Sequence, residues 1–196
     1  MKQFSIANID RKAEKLMKEH VENIVPLYGE FKKQGDWYYT EENEKGDYVS
    51  AGYYFSKKLL TKVYNFQISL VLQNIDFDED FSIESSFKGM VNIKDISFKV
   101  KGNRSCMAER LNKDKVLKKK ICDIAKHIDL TNISLKYSMY DKELKISINP
   151  YAGAFIWLKF PPVFYGIRLK ESEYKSLYKL LNYLKSYLCQ KSHRKK

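Results

Sequence analysis

Residues 144–188 read LKISINPYAGAFIWLKFPPVFYGIRLKESEYKSLYKLLNYLKSYL, and the changes of period inside this stretch decide the fold class. Leu144, Ile146 and Ile148 alternate, Asn149-Pro150 and Gly153 supply a turn, and Ala154, Ile156, Leu158 and Phe160 alternate again, which predicts two strands. Pro161 and Pro162 have no amide hydrogen to give to a ladder, so they reset the chain. Val163, Tyr165, Ile167 and Leu169 then resume period two, and Tyr174, Leu177, Tyr178, Leu181, Leu184 and Leu188 recur at helical spacing. The result is a strand, strand, strand, helix unit. Its helix should bury Leu177, Leu181, Leu184 and Leu188 against the sheet and leave Lys175, Lys179 and Ser186 in water, because only that face keeps the lysine heads solvated.

Upstream, a possible cap at Asn8 or Asp10 opens an apolar stripe through Ala13, Met17, His20, Ile24, Leu27 and Phe31, which predicts an amphipathic helix to about Gln34. Pro26 and Gly29 lie inside the pattern and predict a kink or break near Val25. Period two begins at Trp37-Tyr38-Tyr39, turns through the acidic segment Glu41 to Asp47, returns from Tyr48 to Ser56, and is longest from Val63 to Ile75. Asp76 to Asp80 is a further turn, followed by a strand through Phe81, Ile83, Ser85 and Phe87 that Gly89 closes. Val91 and Ile93 are out of phase with Ile96, Phe98 and Val100, so a bulge or tight turn is expected at Lys94-Asp95. A lysine-rich helix follows Gly102-Asn103; Asn112-Lys113-Asp114 interrupts its spacing, which predicts a proper start only near Asp114 and an end at His127. Ile133, Leu135, Tyr137 and Met139 form the last strand before the opening stretch.

These elements predict an α+β fold: a curved antiparallel sheet of about eight strands packed against three helices, N-terminal, middle and C-terminal. One domain over 1–196 is expected, divided into a helical segment 1–35, strands 36–103, a basic helix 104–128, strands 129–170, a helix 171–189 and a basic tail 190–196. The spans 36–128 and 129–189 each read as strands followed by one helix, a pattern of two pseudo-repeated halves without residue-level identity between them.

The chain of 196 residues is 44% apolar, with no apolar run long enough for a transmembrane segment and no secretory signal at Met1 to Asn8. Three cysteines, Cys106, Cys122 and Cys189, lack paired metal or redox spacing, which predicts reduced thiols and a cytoplasmic location. The net charge is +12, and much of it is local: Lys99 to Lys126 holds ten basic residues against Glu109, Asp114 and Asp123, an excess of +7, and the tail after Lys185 holds more. A coding bias toward lysine, isoleucine, asparagine and tyrosine would also raise the total.

No catalytic motif is found. His20, His127 and His193 have no nucleophile placed beside them by spacing, so each reads as structural or solvated. Asp76 to Asp80 carries carboxylates that suit calcium but not the glycine and distal glutamate of an EF-hand loop, so it reads as a solvated turn, as does Glu41 to Asp47. Eight glycines form no phosphate-binding loop, and no cofactor or metal is implied. Two weak constellations remain: Arg104, Arg110, Lys115, Lys118, Lys119 and Lys120 for phosphates or other anions, and Tyr53, Trp157 and Phe164 as groove aromatics. Phe155 and Trp157 alternate with Ile156 and Leu158, so that strand is apolar on both faces and hints at a second layer or a partner surface. The leading expectation is a soluble, non-catalytic binding or interaction domain whose partner is a protein or a small apolar ligand. Nucleic acid bound through the basic helix 104–126 is the alternative, and an enzyme with a dispersed site the third.

Overall fold

Among the described residues, four helices and ten strands follow one another as α1 (Ile6–Tyr28), β1 (Phe31–Gln34), β2 (Trp37–Thr40), β3 (Tyr48–Lys58), β4 (Thr61–Leu72), β5 (Phe81–Lys88), β6 (Asp95–Val100), α2 (Cys106–Lys113), α3 (Lys115–Ala125), β7 (Leu130–Ser138), β8 (Glu143–Pro150), β9 (Phe155–Leu158), β10 (Val163–Gly166) and α4 (Glu171–Ser192). The structure, a computed structural model, describes residues 6–192 except 89–92, 94 and 103. The expected closure at Gly89, the phase change involving Val91 and Lys94, and His193 with the end of the basic tail therefore lie outside the described residues.

All ten strands join one open, curved antiparallel sheet in the order β1-β2-β3-β4-β8-β7-β5-β6, with β9 on β4 and β10 on β9. The α+β class is as expected, with two more strands and one more helix than the expected eight and three. The halves 36–128 and 129–189 do not sit side by side as two units, because β7 and β8 lie between β4 and β5. Alternate strand residues, among them Ala51, Phe66, Ile68, Ile83, Ile133, Leu135, Ile146 and Ile148, are fully buried toward the helices. On that face α1 packs on β3 and β9, α4 on β8, and α2 and α3 on β6. The helix α4 buries Leu177, Leu181, Leu184 and Leu188 while Lys175, Lys179 and Ser186 are exposed, as its periodicity predicted.

Three local expectations are corrected. The first helix begins by Ile6 and runs unbroken through Pro26 to Tyr28, since a proline in the last turn removes a single hydrogen bond. It stops where Gly29, at φ +91°, donates its amide to the Val25 carbonyl at 2.8 Å. Phe31 to Gln34 is thus a strand, paired with Thr40 to Trp37, and not a helical turn. The basic region holds two helices, because Asp114 ends α2 and its carboxylate caps α3 by accepting from the Leu117 amide at 2.9 Å.

The turn at Asn149 to Gly153 does not reverse the chain. Both β8 and β9 run antiparallel to β4, so they lie end to end, and the eight positions from Ile148 to Phe155 face the five from Ile68 to Tyr64. The excess is looped out at Tyr151 to Ala154, where Gly153 has φ +91° and a Cβ would come within 2.8 Å of the Phe66 Cβ. Among the described residues no helix is long and apolar enough to cross a membrane.

Candidate functional site

The apolar stripe Ile9, Ala13, Leu16, Met17, Val21 and Ile24 seats α1 on the core, which turns Asp10 and Glu14, one helical turn apart, toward β2, β3 and β4. From the sheet, alternate residues rise to meet them: Tyr38 on β2, Tyr53 and Phe55 on β3, Lys62 and Tyr64 on β4, with Phe55 opposite Tyr64 in register. Lys33 on β1 and Asp36 in the following turn complete the wall of a cavity of about 320 Å³. Its aromatic side is preassembled, with Tyr53 and Tyr64 rings 5.9 Å apart and edge-on, and Phe55 6.2 Å from Tyr64.

At the mouth, Asp10 Oδ1 accepts from Lys62 Nζ at 2.5 Å and from the Tyr64 hydroxyl. Lys62 Nζ also lies 4.5 Å from the Tyr64 ring centre and 5.1 Å from that of Phe55. Burial opposes the Lys62 charge, yet hydrogen bonds to Asp10 and Tyr64 and the Asp10 charge outweigh it and hold the lysine above its ordinary pKa. The Tyr64 hydroxyl is raised by burial and by its bond to Asp10. Lys33 pairs with Glu14, and that bond and charge lower the Glu14 carboxyl. The site therefore presents a charged lysine, a protonated phenol and carboxylates beside an aromatic wall.

Below it, Tyr53 donates to the Gly153 carbonyl at 2.9 Å. His20 is buried with Nδ1 2.7 Å from the Tyr174 hydroxyl and its ring 5.2 Å from Phe66, while its Nε2 makes no hydrogen bond of ordinary geometry among the described residues. Burial lowers its pKa to about 4, with the Glu19 carboxylate acting in the opposite sense. His20 is a neutral core residue.

Of the aromatics singled out from the sequence, Tyr53 lines this cavity. Trp157 is half-buried opposite Lys62, and Phe164 is 40% exposed, stacked at 5.9 Å on Phe155 with Lys12 Nζ 3.5 Å from its ring centre. The basic residues are spread over a different edge of the molecule. Arg104 precedes α2, Arg110 lies on α2, and Lys115, Lys119 and Lys120 are exposed on α3, whereas Lys118 is drawn to Asp95 at 2.9 Å. Lys115, Lys118 and Lys119 border a second cleft of about 570 Å³ beside β6. Asp10, Lys62 and Tyr64 were not anticipated from the sequence, because no spacing motif links residues 52 positions apart.

The acidic turns have structural work. Glu79 accepts from the Ser105 hydroxyl and the Met107 amide, both at 2.9 Å, at the start of α2, and Asp47 accepts from the Gln73 amide at 3.0 Å. Among the described residues no group of three His, Cys, Asp or Glu is placed to hold a metal ion.

Comparison with curated proteins and with solved structures gives no match. A family model described as a protein of unknown function, DUF3156, matches residues 31–188, a span that holds the strand wall of the cavity but not α1, and on that match over most of its length the chain belongs to this family.

Proposed function

We propose that the protein is a binding module whose site is the cleft between α1 and β2 to β4, and that its ligand is small, with an apolar or aromatic body and a polar end. The observation behind this reading is one cavity that combines Met17, Tyr38, Tyr53, Phe55 and Tyr64 with the converging Asp10 and Lys62. Small-molecule sites are commonly built this way, with apolar walls giving contact area and a few polar groups fixing orientation. A cytoplasmic setting, in keeping with three free cysteines, is part of the same proposal.

The dye 1-anilinonaphthalene-8-sulfonate, aromatic rings joined to a sulfonate, is a fitting probe. We expect saturable binding at one site that weakens about tenfold in Lys62→Met, the loss of one charge-assisted contact. Ala13→Leu, which narrows the cavity from the helix side, should remove binding in a chain that remains folded, with overpacking of this buried position costing about 1–3 kcal/mol of stability. Dye uptake that does not saturate, or that ignores both substitutions, overturns the reading.

A second reading, nucleic-acid binding, has one observation in its favour. Lys118, Lys113 and Lys126 are paired with Asp95, Glu109 and Asp123, while Arg104, Arg110, Lys115, Lys119 and Lys120 make no ion pair among the described residues. The triple change Lys115→Gln, Lys119→Gln, Lys120→Gln should then flatten the salt dependence of binding, by about one unit of slope per lost phosphate contact. Retention on nucleic acid no greater than that of a charge-matched control removes this reading.

A further inference from the structure

At one end of the sheet two hairpins project apolar side chains that neither packing nor turn chemistry requires. Leu59 and Leu60 form the two-residue turn between β3 and β4 and are 92% and 51% exposed. Turns of that length favour glycine, asparagine and aspartate, so a leucine pair there has no local conformational reason. Phe160 lies in the turn between β9 and β10 and is 82% exposed, followed by exposed Pro161 and Pro162. The Lys159 amide donates to the Leu60 carbonyl at 2.8 Å, which holds the two tips side by side. Behind them stand half-exposed rings: Tyr54 and Tyr165 on the open face of the sheet, Phe55 and Phe164 on the helix side.

The two hairpins themselves carry charge of one sign. Lys57 and Lys58 precede the Leu59-Leu60 turn, Lys62 follows it and Lys159 adjoins Phe160, and neither hairpin, 48–72 or 155–166, carries an acidic residue. Lys62 is paired with Asp10 of α1, and farther from the tips Arg168 is paired with Glu19 at 3.0 Å.

We propose that the paired tips are a docking surface for an anionic lipid bilayer. Leu59, Leu60 and Phe160 enter the boundary between headgroups and acyl chains, the tyrosines behind them lie at headgroup level, and the exposed Lys159 meets the anionic phosphates. The apolar groups stand on convex turns and not in a groove, and a bilayer accepts projecting side chains without a complementary shape, which favours lipid over a folded partner. The surface needs no ligand in the cavity.

Co-sedimentation with vesicles of phosphatidylcholine mixed with phosphatidylserine tests this, against phosphatidylcholine alone. The wild-type chain should bind the anionic vesicles more tightly and release them as salt rises. The double change Leu59→Ser, Phe160→Ser should weaken binding at least tenfold at an unchanged unfolding midpoint, roughly the loss of two inserted apolar side chains. Lys159→Gln should weaken it about fivefold. Ala13→Leu and the triple glutamine change on α3 should leave it intact, which separates the tips from both the cavity and the basic helix. No binding by the wild type, binding indifferent to the tip changes, or binding lost with the α3 changes overturns the proposal. A wild-type dimer that the serine variant turns into a monomer, with no vesicle binding by either, assigns the tips to self-association instead.

Discussion

Leucines occupy opposite situations at two places in this molecule. Under α4, Leu177, Leu181, Leu184 and Leu188 are at most 1% exposed, whereas Leu59 at the β3 to β4 turn is 92% exposed. The first set is driven inward by the apolar area it removes from water, about 25 cal/mol for each Å². The second, left in water, gains almost nothing of the kind on folding. An apolar residue beneath a helix speaks of the fold, and one on a turn that has no use for it speaks of what the fold meets.

The largest test of that contrast is Leu181→Ala, which should cost about 2–5 kcal/mol of unfolding free energy, since it leaves a cavity between α4 and the sheet. A denaturant midpoint unmoved by it would mean that α4 is peripheral, and the contrast would lose its closed half.

His20 probes the same interior through pH. Its folded pKa of about 4 lies below the ordinary 6.5, so the unfolded chain takes up a proton that the folded chain refuses between those values. The stability from the neutral buried ring is thus fully present above pH 6.5 and falls as pH drops toward 4, by roughly 3 kcal/mol. Urea melts at stepped pH should show the loss, and His20→Met should flatten it; a wild-type profile already flat over this window would place the ring in water.

A smaller effect is expected at the looped-out segment between β8 and β9. Gly153→Ala adds a methyl within 2.8 Å of Phe66 at a positive φ, and about 1–3 kcal/mol should be lost. An unchanged thermal midpoint would show that this segment gives way freely. Least of all should change in Leu59→Ser, within about 0.5 kcal/mol of wild type, because an exposed turn residue has no packing to lose. Destabilisation on the scale of Leu181→Ala would mean that the tip is packed, and the comparison with α4 would collapse.

Much of the fold was legible because periodicity reports the local state directly. The alternation in β3, β7 and β8 and the leucine spacing of α4 were read close to their observed places, and that of β4 was carried three residues past its end at Leu72. Phe31 to Gln34 was misread because four residues are too few to show a period, and its strand state comes from pairing with Thr40 to Trp37 across Gly35 and Asp36. The separate α2 was missed because Asp114 both ends one helix and caps the next, a double role that composition does not display. In the candidate site Tyr53 stood out by residue type, whereas the Asp10 to Lys62 contact joins a helix to a strand 52 positions away.

By itself, then, the sequence determined the type and the buried face of the long elements, the absence of catalytic spacing motifs and the basic balance, since these depend on the order of side chains along one segment. Strand neighbours were decided only in three dimensions, where β8 and β9 share β4 and β7 enters between β8 and β5. So were the cavity under α1 and the paired hairpin tips. Each requires segments distant in the chain to meet, and such meetings are set by how the whole apolar surface is covered at once, a condition that no single stretch of residues carries.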